Sequence, residues 1–266
     1  MDWGYPSKDI LETNSKEIKN NKDLYNLSNI IYKKYNNKKL TFPIGKNIND
    51  IYYLDLENIS SIFITGETGS GKSNFIHSML ISLLLKNNTD ELKLVLIDPK
   101  QIELLKYKEL AQTYKLYGNN TLNSLKDLTY VITLIEERKK IDNKNYPHIL
   151  VIIDEISDIM DFKYTDNILD NIISVAKNYK IHLVLSTNMD SQKYINKKIL
   201  NKFDYIISFD LSSSNQASYI KMDGANLLKS NGDALIKTSD DIINIQTPYV
   251  SENDINNVIN YINKHN

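Results

Sequence analysis

Gly66-Glu67-Thr68-Gly69-Ser70-Gly71-Lys72-Ser73 decides the fold. The octapeptide has the spacing G-x-x-x-x-G-K-S/T of a phosphate-binding loop. The apolar run Ser61-Ile62-Phe63-Ile64-Thr65 precedes it, and an apolar helical pattern from about Lys72 to Leu85 follows. The loop is therefore expected between a strand and a helix. Its glycines let the backbone wrap closely, so that successive N–H groups face phosphate oxygens. The helix N-terminus adds its dipole. Gly66, Glu67, Thr68, Gly69, Ser70, Gly71, Lys72 and Ser73 are expected to cradle ATP. Lys72 brings a point charge to the β- and γ-phosphates, and the Ser73 hydroxyl is a ligand for Mg²⁺.

Working outward, apolar strands alternate with helical patterns. Strands are expected at Leu92–Ile97, Ile149–Ile153, Ile181–Leu185 and Tyr205–Phe209, with a late hairpin formed by Ala234–Ile236 and Ile242–Ile245. Helices are expected over Thr121–Lys140 and Ile168–Tyr179, where apolar residues recur at helical spacing. A last helix opens at Ser251, with Asp254 three residues on as in a capping box. Continuous apolar strands between helices predict an α/β fold, with a mainly parallel central sheet covered by helices on both faces. Residues 1–40 are polar, and only Leu24, Leu27, Ile30, Ile31 and Tyr32 suggest a short amphipathic helix. They read as a small, helical or partly mobile N-terminal appendage to one domain over residues 41–266.

The second half of the site is His148-Ile149-Leu150-Val151-Ile152-Ile153-Asp154-Glu155. A buried strand delivers two carboxylates at its C-terminal edge, where open α/β sheets bind ligands. Asp154 is expected in the Mg²⁺ shell and Glu155 beside the attacking water. The fourth strand ends in Ser186-Thr187-Asn188, and Thr187 or Asn188 is placed to sense the γ-phosphate or that water.

Composition narrows the classes further. The chain has 266 residues, 32 Lys+Arg against 33 Asp+Glu, and a net charge of −1. A polycationic coat protein is excluded, although local basic patches are not. Cysteine is absent, so neither disulfides nor thiolate metal sites can form. The four histidines show no metal spacing. No run reaches the roughly 18 apolar residues of a membrane span. The N-terminus has no signal-peptide pattern, so a cytoplasmic location is expected. Asn makes up about one residue in eight, and Arg138 is the sole arginine against 31 lysines.

Together these motifs resemble the motor domain of the FtsK/SpoIIIE family of DNA translocases, over about Phe42 to Val250. Beside the phosphate loop and the Asp-Glu strand, the resemblance rests on Gly45-Lys46-Asn47-Ile48, Leu96-Ile97-Asp98-Pro99-Lys100 with Glu103-Leu104, and Glu137-Arg138. It continues through Ile181-His182-Leu183-Val184-Leu185-Ser186-Thr187 and Gly232-Asp233-Ala234-Leu235. It implies a RecA-like P-loop ATPase core in a ring, usually of six subunits, with ATP at each interface. It also implies double-stranded DNA in the pore and movement driven by hydrolysis. Relatives that power conjugation or protein secretion leave the cargo open. A weakly hydrolysing, nucleotide-gated assembly module is a further alternative. Small size points to a motor of a plasmid, phage or integrative element.

The departures concern charge. Where the family has Thr-Gln-Arg-Pro, this chain has Thr187-Asn188-Met189-Asp190, and Ser212 to Ile220 contains no basic residue before Lys221. An arginine reaching into a neighbour's site is expected from that region. Either a lysine replaces it, or Arg138 is recruited, or turnover is slow. Lys139, Lys140 and Lys144 share one loop, and Lys193, Lys197, Lys198 and Lys202 follow the fourth strand. Both groups are expected at the nucleotide edge, near a pore, where lysine–phosphate contacts bind without reading sequence.

Overall fold

The computed structural model describes residues 25–26, 38–118, 121–141, 145–158, 162–189, 196–239 and 241–265. The chain opens with β1 (Tyr25–Asn26), the hairpin of β2 (Thr41–Lys46) and β3 (Ile51–Asp55), and β4 (Ser61–Thr65). Helix α1 (Lys72–Leu84) leads to β5 (Leu92–Ile97) and β6 (Thr113–Tyr117), then α2 (Thr121–Lys139), β7 (His148–Ile153) and α3 (Phe162–Val175). The second half contains β8 (Ile181–Thr187), α4 (Lys197–Leu200), β9 (Tyr205–Ser208), α5 (Ser214–Tyr219), β10 (Asp233–Lys237), β11 (Ile242–Gln246), β12 (Pro248–Tyr249) and α6 (Glu252–His265).

Ten strands form one sheet in the order β3-β2-β11-β10-β9-β4-β8-β7-β5-β6. From β6 to β9 all neighbours are parallel. The remaining four strands add on antiparallel. Strand β8 is inserted between the loop-bearing β4 and the Asp-Glu strand β7. That order carries the ends of β4, β8 and β7 side by side, with Thr65 paired to Thr187 and Ile153 to Leu185.

Alternation along the strands builds two cores. Leu94, Leu96, Leu150, Ile152 and Val184 face α1 and α6 on one side. Val95, Ile97, Val151, Ile153 and Leu185 face α2 and α3 on the other. Successive strand residues point to opposite faces, so strands covered on both sides are apolar throughout, as the sequence shows. Helix α1 lies deep in the first core, with Phe75, Met79, Leu80, Ile81 and Leu83 fully buried. Helix α6 starts with the expected capping box: Ser251 N–H donates to Asp254 Oδ2, and Asp254 N–H donates to Ser251 Oγ at 3.1 Å.

Three features differ from the sequence reading. The β2–β3 hairpin and the edge strand β6 carry no continuous apolar run and are not anticipated. Helix α3 begins at Phe162, six residues before its apolar stripe becomes visible. Within the appendage, Tyr25–Asn26 form a two-residue strand parallel to β12 where a helix is expected. The rest of that expected helix lies outside the described residues, as do Lys144 and Lys193.

Candidate active site

The loop between β4 and α1 is held in shape by glycines that no other residue replaces. At Gly66 (φ 151°) a Cβ would lie 2.6 Å from Phe209 Cβ. At Gly71 (φ 123°) it would lie 3.0 Å from the amide nitrogen of Gly232. Gly232 in turn donates its N–H to the Ser70 carbonyl at 3.0 Å, so the turn before β10 braces the loop from outside. Thr68, Gly69, Gly71, Lys72 and Ser73 line a cleft of about 410 Å³ with Asp154, Glu155 and Asn188. Of the other loop residues, Gly66 and Glu67 turn their carbonyls to the Lys72 ammonium at 2.5 and 3.0 Å. Ser70 is buried within the loop.

The two halves of the site meet through Asn188. Lys72 Nζ donates to Asn188 Oδ1 at 2.5 Å, and Asn188 N–H donates to Glu155 Oε1 at 2.8 Å. The amide Nδ2 reaches Thr68 Oγ1 at 3.4 Å. Glu155 Oε1 also accepts from Ser157 Oγ at 2.7 Å and Thr187 Oγ1 at 3.1 Å. Three donors thus fix one carboxylate oxygen, and Oε2 takes none of these bonds. Glu155 has φ 51°, a left-handed backbone that a side chain adopts at a cost of order 1 kcal/mol. That conformation turns the chain sharply at the end of β7.

Asp154 accepts from Ser186 Oγ at 2.6 Å. Burial pushes its carboxyl above the usual range, the Ser186 bond opposes this, and the charges of Asp98, Glu155 and Glu103 add to the rise. Such a crowd of carboxylates is relieved by a divalent cation. The oxygen donors of Ser73 and Asp154, in one cleft with Lys72, fit Mg²⁺ that takes its remaining ligands from phosphate and water.

The loop after β5 adds Lys100, Ile102 and Glu103 to the cleft. The sequence reading gives these residues no site role. The available signal is position, since charged residues follow the C-terminal end of the strand next to the Asp-Glu strand. The hydrogen bond to His77 lowers the Glu103 carboxyl below its usual range, against the opposing effect of burial.

Arg138 and the lysine groups lie elsewhere. Arg138 is 7% exposed, and its guanidinium donates to the carbonyls of Tyr179 (2.5 Å), Lys180 (3.1 Å) and Pro147 (2.7 Å). Those carbonyls precede β8 and β7, so Arg138 sits at the strand-start edge, a strand length of about 20 Å from the carboxylates. It is not available as a recruited arginine. Lys139 ends α2 and Lys140 follows it at that same edge, which corrects their expected placement beside the nucleotide. The run Lys197, Lys198 and Lys202 also leads there. Asp204, just beyond it, accepts from Ser60 and Ser61 at the start of β4. Lys202 is paired with Asp170, and Lys197 lies 4.8 Å over the Tyr219 ring. A cleft of about 550 Å³ at this edge is lined by Lys202, Asp204 and Lys237. It is larger than the cleft at the phosphate loop but carries neither loop nor paired carboxylates.

The comparisons agree with this architecture. The FtsK/SpoIIIE family profile matches residues 31–222. The DNA translocase FtsK of Staphylococcus aureus (strain Mu50) is 28% identical over 281 residues, covering 92% of this chain and 35% of the relative. DNA translocase FtsK of Helicobacter pylori (strain J99) is 27% identical over 248 residues, covering 84% of this chain and 29% of the relative. The chain thus spans about a third of the length of these curated relatives. Among solved structures, the cytoplasmic domain of the Thermomonospora curvata type VII secretion ATPase EccC superposes with a TM-score of 0.74. It is 18% identical, over 88% of this chain and 32% of that one. The pCW3 conjugation coupling protein TcpA gives 0.66 at 21% identity, over 85% and 70%. These likenesses establish the fold, and no helix among the described residues is long and apolar enough to cross a membrane. Profile, relatives and fold agree with the loop and carboxylates in one cleft, and the chain belongs to the FtsK/SpoIIIE family as a P-loop ATPase domain.

Proposed function

We propose that this domain is an ATP-hydrolysing motor that moves double-stranded DNA as one subunit of a ring, in the cytoplasm. The carrying observation is the cleft in which Asn188 links Lys72 of the phosphate loop to Glu155 of the Asp-Glu strand. The curated relatives are named DNA translocases, which supports DNA as cargo. Residues 41–266 form the motor unit, from β2 to the end of α6, and residues 1–40 an appendage.

Each residue has a task. Lys72 and the N–H groups at the start of α1 neutralise the phosphates of ATP. Ser73 and Asp154 would hold Mg²⁺, which when bound would neutralise phosphate charge. Glu155 orients a water through Oε2 and receives its proton. Thr187 and Asn188 hold Glu155 through Oε1, and Asn188 joins it to Lys72. A change at the phosphates that moves Lys72 is therefore passed to the base. With the sole guanidinium buried, a cation entering from a neighbouring copy is a lysine, and turnover is slow for this family.

The test is the rate of phosphate release with and without long duplex DNA, for the wild type and Glu155→Gln. DNA should raise the wild-type rate several-fold. Glu155→Gln should lose about 10²–10⁴-fold while still binding nucleotide, and Lys72→Ala should lose most nucleotide affinity. A wild-type rate indifferent to DNA rejects the cargo and favours a protein-moving ATPase. Equal, negligible rates in wild type and Glu155→Gln reject the motor and leave a nucleotide-gated assembly module.

A further inference from the structure

Residues 212–220, the stretch without a basic residue, are tied into their own chain. Ser213 Oγ accepts the Gln216 N–H at 3.4 Å and so caps α5, while Ala217 and Ile220 are buried in the core on the α2–α3 side. On that base stands Gln216, 6% exposed. Its Nε2 donates to the Met189 carbonyl at 2.8 Å, and its Oε1 accepts from Ser212 Oγ at 2.9 Å. A carbonyl only accepts, so the amide has one orientation, with Nε2 toward Met189. The same segment also grips the phosphate loop. Ser212 N–H donates to Glu67 Oε1 at 3.2 Å, and Glu67 N–H donates to the Asp210 carbonyl at 2.8 Å. One short stretch thus holds the loop at Glu67 and the end of β8 at Met189.

Asn188 needs such an anchor. The ladder of β8 on β4 ends one residue earlier, where Thr187 pairs with Thr65. The bonds from Asn188 to Glu155 Oε1 and to Lys72 Nζ go to groups that change charge or partner in the proposed reaction. The Met189 carbonyl, one residue on, is held from α5 instead, and Gln216 is not among the residues that line the cleft. Its bond can persist while Lys72 and Glu155 turn to phosphate and water.

We infer that Gln216 is a positioning residue for hydrolysis, which through the Met189 carbonyl keeps Asn188 in register with Lys72 and Glu155. The inference rests on the ATP-hydrolysing reading of the cleft. Gln216→Glu keeps the size and the acceptor toward Ser212 but sets a carboxylate oxygen against the Met189 carbonyl. Gln216→Met keeps the volume and makes neither bond. A misplacement of about 1 Å in a site can cost roughly 10²-fold in rate. Nucleotide binding should survive, because the phosphate loop keeps its bonds to Asp210 and Gly232.

The experiment measures kcat and KM for ATP, and binding of a fluorescent ATP analogue, with thermal midpoints as a check on folding. The proteins are the wild type, Gln216→Glu, Gln216→Met, Asn188→Ala, Glu155→Gln and the double variant Gln216→Met/Asn188→Ala. The expected result is kcat lowered about 10-fold in both Gln216 variants, with KM and analogue affinity within about twofold. Adding Gln216→Met to Asn188→Ala should cost nothing more, because the two act at one place. An unchanged kcat overturns the inference. So does a further loss in the double variant as large as Gln216→Met causes alone, or a fall in kcat matched by loss of analogue binding or of folding; either marks Gln216 as scaffold only. In these cases the wild type still hydrolyses ATP, so the reading of the cleft stands. A wild type no faster than Glu155→Gln overturns both.

Discussion

Arg138 shows how one residue's geometry decides its role. Its planar fork serves three carbonyls that converge from the ends of two connections, and its flat face lies 4.3 Å from the centre of the Tyr146 ring. Carbonyls at the starts of buried strands need partners, and a guanidinium reaches several at once where an ammonium is a point charge. Burial lowers its pKa to about 10, which leaves it cationic at neutral pH. Arg138→Lys should therefore lower stability by about 1–3 kcal/mol, since at least one carbonyl loses its partner. Nucleotide affinity should stay within twofold, because the site is a strand length away. Denaturant unfolding and analogue binding measured on the same preparation check both halves. A variant of full stability with lost ATP turnover would return Arg138 to the chemistry.

At the scale of elements, β7 and β8 begin with a stacked histidine pair. The rings of His148 and His182 lie 5.1 Å apart at 12°, with His148 Nδ1 2.8 Å from His182 Nε2. His182 Nδ1 donates to the Ile59 carbonyl, so its Nε2 accepts and His148 donates, which requires the His182 ring to be neutral. Burial is the main cause that lowers both to about 4; nearby positive charge adds to it, and at His182 the Ile59 bond opposes it. The unfolded chain takes up these protons near pH 6.5. Stability from the pair is thus complete above pH 6.5, falls as pH drops toward 4, and levels off below. Unfolding free energy should fall by about 3 kcal/mol between pH 7.5 and 5, the larger part from His182, after discounting His148 for its partial exposure. His148→Gln keeps the donor without the titration and should remove roughly a third of that loss. An identical pH slope in wild type and variant would acquit the pair. The central strands were legible because burial on both faces makes them apolar throughout, and the phosphate loop and Asp154-Glu155 because their chemistry fixes their spacing. The β2–β3 hairpin and β6 were not: β2 is buried but broken by Pro43 and Gly45, and β3 and β6, the two edges of the sheet, mix in polar residues. The site roles of Glu103 and Gly232 escaped for another reason: Glu103 reaches the cleft, and Gly232 the loop itself, from segments distant in the chain.

For the whole molecule, the question is whether sites act alone or together. The exposed Leu227 and Ile48 follow the chain to the same sheet edge as the phosphate loop, at 79% and 102% exposure. Ile102, 66% exposed, stands on the rim of the cleft itself. Large apolar side chains around a site are usual where a surface meets a partner, and a ring would bury them against the next copy. If each site acts alone, an equal mixture of wild type and Glu155→Gln keeps about half the wild-type rate. If all six subunits of a ring must fire in turn, roughly 2% of randomly mixed rings are free of the variant. DNA-stimulated hydrolysis should then fall far below one half at equal mixing, with strong downward curvature against the fraction of Glu155→Gln. The titration must be run above the concentration at which the rate per chain stops rising, so that rings rather than single chains are compared. A straight line through one half would mean that the cleft, complete within one chain as described, needs no neighbour to turn over.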